Sequence, residues 1–74
     1  MTPKEKALEL VSRFKNISIE LGESHSQLLA EANALIAVDE IINELEDILN
    51  FTGNKLSLKM IKYWMDVKKE IEQL

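Results

Sequence analysis

The sequence predicts an all-α fold, a three-helix antiparallel bundle with a long central helix, assembled as a homo-oligomer. First, its only proline and its two glycines, Pro3, Gly22 and Gly53, lie at the borders of three helix-forming stretches. Second, apolar residues recur at three- and four-residue intervals within each stretch, without the alternation typical of a strand. Third, short connections make neighbouring helices antiparallel. We expect a single domain, 1–74, with helices at about 3 to 20, 25 to 50 and 56 to 73.

The first helix has a well-marked start. Thr2 fits the N-cap, Pro3 the first helical position and Glu5 the third, which completes a Thr-x-x-Glu capping box. Two ends are compatible with the sequence: Gly22 as terminator, or an earlier end near Lys15 followed by a loop. The residues expected to face inward are Ala7, Leu10, Val11, Phe14 and Ile17.

The second helix is the longest, and either Ser24, with Gln27 in a capping box, or Ser26 can cap it. The turn cluster from Asn50 to Asn54 should end it, with Phe51 folding back onto the core. Its core stripe is predicted as Leu28, Leu35, Val38, Ile42, Leu45 and Leu49, flanked by Ala34, Ile41 and Ile48.

The front half of this helix is apolar around most of its circumference. A 74-residue chain buries only roughly 60 to 65% of its unfolded surface, so a single copy has a small core. With no Cys and one His, neither a disulfide nor a zinc site can add stability. We therefore predict an oligomer interface formed by Leu28, Leu29, Ala32, Leu35 and Ile36.

The third helix can begin at either of two caps, Asn54 or Ser57. On its outer side, Lys62 and Asp66 are spaced for an i,i+4 ion pair. Its apolar seam has a 4-3-4-3 spacing and consists of Met60, Trp64, Val67, Ile71 and Leu74, widened by Leu56, Ile61 and Met65.

The charge distribution argues against several classes of partner. The formal net charge is −4, and all eight charged residues between Asn16 and Asn54 are acidic. This balance disfavours nucleic acid, and no stretch has the length and apolarity of a membrane span or a signal peptide. We expect a cytoplasmic protein. The acidic centre has two interpretations: the basic end helices relieve the repulsion among its carboxylates, or it is a surface for a basic partner.

Catalytic motifs are missing. His25 has no second His or Cys to complete a metal or nucleophilic site, and the carboxylates Asp39, Glu40 and Glu44 lack a Glu-x-x-His pattern. We expect no enzymatic activity, no cofactor and no metal. An anionic small molecule could instead be bound between subunits by Arg13, Lys59, Lys62 and Tyr63.

Three blocks of the sequence occur in a characteristic combination. They are KALELVSRF at 6–14, ALIAVDEII at 34–42 and YWMDVKKEI at 63–71. Together they resemble a recurrent set of small tailed-phage proteins, many from phages of anaerobic gut bacteria. The relatives often have a basic or Cys-containing stretch before ALIAVDEII, where this chain has Glu31, Ala32 and Asn33.

The resemblance implies a phage protein that acts by stoichiometric binding in the infected host cell, and it carries no catalytic residue over. By analogy with other small phage proteins, the first hypothesis is a counter-defence sponge that sequesters an anionic nucleotide immune signal in an intersubunit pocket. The alternative is an inhibitor or adaptor of a host protein, which would dock on the acidic face from Asp39 to Asp47. A virion role stays open.

Overall fold

The computed structural model describes residues 1–20, 22 and 26–74, apart from the side chains of Ser18, Glu20 and Ser26. It contains three α-helices that all pack against one another, and no strand within these described ranges. The predicted all-α bundle is confirmed, and the predicted helix ends differ from the observed ones by at most two residues. The helices are α1 (Pro3–Glu20), α2 (Ser26–Thr52) and α3 (Lys55–Glu72).

The predicted capping box starts α1. The Glu5 amide donates to Thr2 Oγ1 at 3.2 Å, and the Thr2 amide donates to Glu5 Oε1 at 3.2 Å. These hydrogen bonds favour the ionised carboxylate and lower the pKa of Glu5. At the other end α1 continues to Glu20, so the longer of the two predicted helices is confirmed. Gly22 has φ +79 and donates its amide to the Ile19 carbonyl at 3.0 Å.

The turn between α2 and α3 is closed by local hydrogen bonds. Gly53, with φ +66, donates its amide to the Leu49 carbonyl at 2.7 Å, in the left-handed conformation that glycine adopts easily. Asn54 is the N-cap of α3, because its Oδ1 accepts from the Leu56 amide at 2.9 Å. The competing cap, Ser57, is buried inside the first turn.

The start of α2 is described only in part. The predicted cap Ser24 and the lone His25 lie outside the described residues, as does the side chain of Ser26. Gln27 does not reach back toward a cap: its Nε2 donates forward to Glu31 Oε1 at 2.8 Å.

The core lies along one face of α2, where small residues in the first half give way to larger branched ones further along. Alanines on α1 and on the first half of α2 let these two helices approach closely, and β-branched residues fill the space further along. Leu10, Phe14, Leu35, Ile41, Leu49, Tyr63 and Trp64 pack on this core as partly buried residues. The buried members are Ala7, Val11, Ala30, Ala34, Val38, Ile42, Leu45, Ile61, Val67 and Ile71.

Two long-range contacts fix how the helices slide past one another. The Tyr63 hydroxyl donates to the Met1 carbonyl at 3.2 Å, so α1 begins beside the middle of α3. Lys68 Nζ lies 2.9 Å from Asp39 Oδ1, which sets the antiparallel register of α2 and α3. The parallel helices α1 and α3 are therefore staggered and cover different parts of α2.

This stagger makes the molecule a rod. At about 1.5 Å per residue, α2 with its 27 residues is about 40 Å long, whereas the 18-residue helices α1 and α3 are each about 27 Å. The molecule measures 44 × 21 × 16 Å. Its radius of gyration is 13.7 Å, against roughly 11 Å for a compact domain of this length. At each end, only two of the three helices lie side by side.

Several predicted core positions are exposed for this reason. Leu28 and Ile48 lie on α2 where only one other helix reaches, and Met60 and Leu74 at the ends of α3 are also exposed. Leu56, in the first turn of α3, is exposed as well. Met65 is exposed although it lies where all three helices overlap, because it lines the open cleft between α2 and α3, whereas Ile61 is buried in the core.

The prediction that Phe51 folds back onto the core is wrong, since 92% of it is exposed. Because α2 continues through Thr52, Phe51 lies two residues beyond Leu49 and therefore points to the opposite side of the helix.

The predicted Lys62–Asp66 ion pair is also not formed. Within the described residues, the ion pairs are Lys6–Glu9, Arg13–Glu9 and Lys68–Asp39.

Candidate functional site

The predicted oligomer interface lies on the surface of this subunit. Leu28 is 70% exposed, Ile36 58% and Leu29 38%, and Ala32 is exposed beside them. Leu35 is partly buried and packs on the core from the same stretch. The first half of α2 therefore presents adjacent apolar side chains that its own chain leaves in solvent.

The helical period explains which way these residues point. Leu29 and Ile36 are seven residues apart and lie on the side of α2 opposite to Val38, which is fully buried. Leu28 and Ala32 lie on the side of α2 against which α3 packs nearer the C-terminal end of α2. However, α3 ends at Glu72, before it reaches them. Oligomerisation itself stays a prediction.

Three of the four predicted ligand residues share one region of α3. Lys59 and Lys62 are exposed, and within the part of the chain that the structure describes neither forms an ion pair. Tyr63 is partly buried beside them. Its ring packs edge-to-face against Trp64, with centroids 5.5 Å apart and planes at 84°, and its hydroxyl donates to the Met1 carbonyl. The result is two exposed lysines, with Asp66 one turn from Lys62, next to a fixed aromatic ring.

Arg13 lies elsewhere on the same subunit. It is on α1, where its Nη2 lies 3.3 Å from Glu9 Oε1. Because Tyr63 contacts Met1 and α1 runs parallel to α3, Arg13 lies about 18 Å further along the axis than Tyr63. It can join Lys59 and Lys62 only from a second subunit.

The acidic face of α2 divides into two parts. Glu40, Glu44 and Asp47 are exposed, and within the described ranges they form no ion pair. Asp39 instead pairs with Lys68, and this hydrogen bond and negative charge raise the pKa of Lys68. Sequence periodicity could not reveal this contact, since the two residues lie on different helices and are far apart in the chain.

A shallow cleft of about 360 Å³ runs between α2 and α3 around this ion pair. Acidic, basic and apolar side chains are mixed along it, so it does not favour a ligand of one charge. No group of His, Cys, Asp and Glu in the described ranges is arranged to hold a metal ion. The lining residues are Asp39, Ile42, Asn43, Glu46, Met65, Lys68, Lys69 and Glu72.

Comparison of the chain with protein-family models, with curated proteins and with solved structures found no match. Among the described residues, no helix has the length and apolarity needed to cross a membrane.

Proposed function

We propose that this protein is a non-enzymatic binding protein that works as a homo-oligomer. The observation that carries the proposal is the exposed apolar surface on the first half of α2, formed by Leu28, Leu29, Ala32 and Ile36. Burial of apolar surface stabilises by about 25 cal/mol per Å², and contiguous apolar patches on small proteins mark interaction sites. A subunit with so small a core gains stability by covering this patch with a second copy.

The size of the exposed surface also supports self-association. The accessible surface is 5316 Å², whereas a compact monomer of this mass, 8.5 kDa, exposes about 4,700 Å². The excess follows from the stagger of α1 and α3. An oligomer would remove part of it from water.

Sedimentation velocity tests the oligomer. The wild-type chain should sediment as more than one subunit at micromolar concentration, and Leu28→Glu with Ala32→Glu should yield single subunits. Leu56→Glu is a matched control, because Leu56 is 61% exposed but lies on α3, outside the proposed interface. A single folded wild-type subunit across this range would remove the proposal.

We further propose that the oligomer sequesters an anionic nucleotide signal of host antiviral defence. Lys59 and Lys62 would attract the phosphates, Tyr63 would offer a ring edge to a base, and Arg13 would come from a neighbouring subunit. The support is the absence of ion-pair partners for the two lysines among the described residues, together with the resemblance of three sequence blocks to small tailed-phage proteins.

Native mass spectrometry of protein purified from phage-infected cells tests this proposal. The expected spectrum shows an oligomer with a retained anionic mass, and Lys59→Glu or Lys62→Glu should lose that mass without changing the subunit count. Lys69→Glu is the control, because Lys69 is exposed on the same helix and its replacement changes the net charge of the protein by the same amount. Wild-type protein with no retained ligand would contradict a sponge.

A second candidate function is docking of a host protein on the acidic face of α2. It is favoured by the exposure of Glu40, Glu44 and Asp47, which project from one side of the helix beyond the Asp39–Lys68 pair. Replacing these three residues by Gln, Gln and Asn should abolish recovery of the partner in a pull-down. The Lys59→Glu and Lys62→Glu variants should retain it. Retention by the neutralised variant would exclude this surface.

A further inference from the structure

We propose that the end of the rod formed by α1 and α2 is a docking surface for the same end of a second copy, with the two subunits arranged end to end and antiparallel. This inference rests on the proposed homo-oligomer and adds its geometry: the groove shares Leu28 and Ala32 with the interface proposed above, whereas Leu29 and Ile36 lie on the other side of α2. It also adds two residues that the sequence did not place in the interface, Ile17 and Leu74.

The helix register creates this surface. The Asp39–Lys68 pair places the last turn of α3 beside residues 35–38 of α2, just before the middle of that helix, and α3 ends there with Gln73 as C-cap. Beyond that level, the second half of α1 and the first turns of α2 run side by side. In the described residues, no third helix covers the groove between them.

The floor and the α2 side of the groove are apolar, and the cation on its α1 side, Arg13, is paired with Glu9. Lys6 Nζ lies 6.0 Å from the Trp64 ring of α3, and Ile17 is eleven residues, about three turns, further along the same side of α1. Ile17, which the sequence predicts to face the core, is 53% exposed.

Leu28 lies at about the same level on α2, because the Tyr63–Met1 and Lys68–Asp39 contacts together set the register of α1 against α2. Phe14 and Leu35, both partly buried, form the floor. Leu74 lies at the end of the groove where α3 stops, and it is also exposed.

The groove fits an apolar occupant better than a charged one. Along α2 from Gln27 to Val38, the single charged residue is Glu31, and its carboxylate accepts a hydrogen bond from Gln27 Nε2 at 2.8 Å. A basic or acidic partner would find no counter-charge on this stretch. A second copy of the same apolar groove is complementary to it, as an isologous two-fold interface requires.

Sterics and charge select the antiparallel arrangement. In a parallel pair, the two α3 helices, which lie on the same side of each subunit as the groove, would overlap in space before the two grooves could meet. A parallel pair would also bring the acidic halves of the two α2 helices, with Glu40, Glu44 and Asp47, to the same level. The end-to-end arrangement places those halves at opposite ends of the assembly, where like charges repel least.

The resulting contact is a local four-helix bundle. Each subunit supplies the second half of α1 and the first half of α2, and each pair fills the space that α3 leaves open in the other. Helices in such bundles pack about 8 to 10 Å apart, which brings Leu28 and Ala32 of one copy close to the same stretch of its partner.

The first experiment compares two single variants by sedimentation velocity. Ile17→Glu should yield single subunits, whereas Leu58→Glu should leave the oligomer intact. The two positions are matched, since each is 53% exposed and carries an aliphatic side chain, but Leu58 lies on α3 at the other end of the rod. Circular dichroism of each variant confirms that the helices are retained.

The second experiment uses the absence of cysteine from the chain, which makes single-cysteine variants unambiguous. Leu28→Cys and Ala32→Cys are treated separately with a short bismaleimide, and Glu44→Cys is the control. The antiparallel arrangement predicts covalent dimers for Leu28→Cys or Ala32→Cys and none for Glu44→Cys, whose two copies would lie about 35 Å or more apart. Dimers from Glu44→Cys as well would overturn the antiparallel geometry.

The outcomes separate this inference from the proposed function. If the wild-type chain is a single subunit, both are wrong. If it is an oligomer that Leu28→Glu with Ala32→Glu disrupts while Ile17→Glu does not, the homo-oligomer stands and the end-to-end groove is wrong. If no cysteine at positions 28 or 32 crosslinks in the oligomer, the groove is likewise excluded.

Discussion

At the scale of single residues, burial depends on where a side chain lies along the rod as well as on its type. Val38, Val67 and Ile71 lie where all three helices overlap, and they are the largest fully buried side chains. Leucines and isoleucines near the ends of the same helices remain in solvent. Position along the axis therefore decides which aliphatic residues stabilise the subunit.

Ile71→Ala tests this distinction. Ile71 is 2% exposed, so its truncation should remove buried apolar contacts and leave a cavity, at a cost of about 2 to 5 kcal/mol in the free energy of unfolding. Leu58→Ala should change it by less than about 0.5 kcal/mol. Urea unfolding followed by circular dichroism measures both, and equal losses would contradict the assigned core.

At the scale of the helices, caps determine where each one begins and ends. The Thr2–Glu5 box starts α1, Asn54 starts α3, and Gly53 ends α2 in a left-handed conformation. These interactions are local, since each joins residues within four positions of one another. They form independently of how the helices pack.

The Thr2 cap has a pH-dependent consequence. Hydrogen bonds with Thr2 lower the pKa of Glu5 in the folded state, so their stabilisation is present above the pKa of Glu5 in the unfolded chain. It is lost as the pH falls through the lowered folded value. Thr2→Ala should therefore reduce helical stability at neutral pH and flatten this part of the acid profile, as measured by thermal unfolding at several pH values. A profile identical to wild type would argue against the capping box.

At the scale of the whole molecule, the stagger of α1 and α3 links the shape of the subunit to its proposed assembly. It lengthens the rod to 44 Å and leaves apolar residues uncovered at both ends. One end, with Ile17 and Leu28, is the proposed docking groove. The other, with Phe51 at its tip, is flanked by charged residues of both signs.

Assembly coupled to folding predicts a melting temperature that depends on protein concentration. By mass action, binding of folded copies to one another stabilises the folded state, so the wild-type chain should melt at a higher temperature as its concentration is raised. Ile17→Glu should melt at a temperature independent of concentration. Differential scanning calorimetry over a wide concentration range provides the measurement, and a constant wild-type melting temperature would argue against assembly.

The sequence by itself determined the three helices and the Thr2 cap, because these depend on propensities and hydrogen bonds between near neighbours. It left two alternatives for the end of α1 and two caps for α3, Asn54 and Ser57. It also indicated that the first half of α2 has more apolar surface than one face can bury. The tertiary structure alone decided how far the helices slide along one another. That offset exposed Leu28, separated Arg13 from Lys59 and Lys62, and paired Asp39 with Lys68. A period of 3.6 residues tells which side of a helix turns inward, but its position along a neighbour depends on contacts between residues distant in the chain.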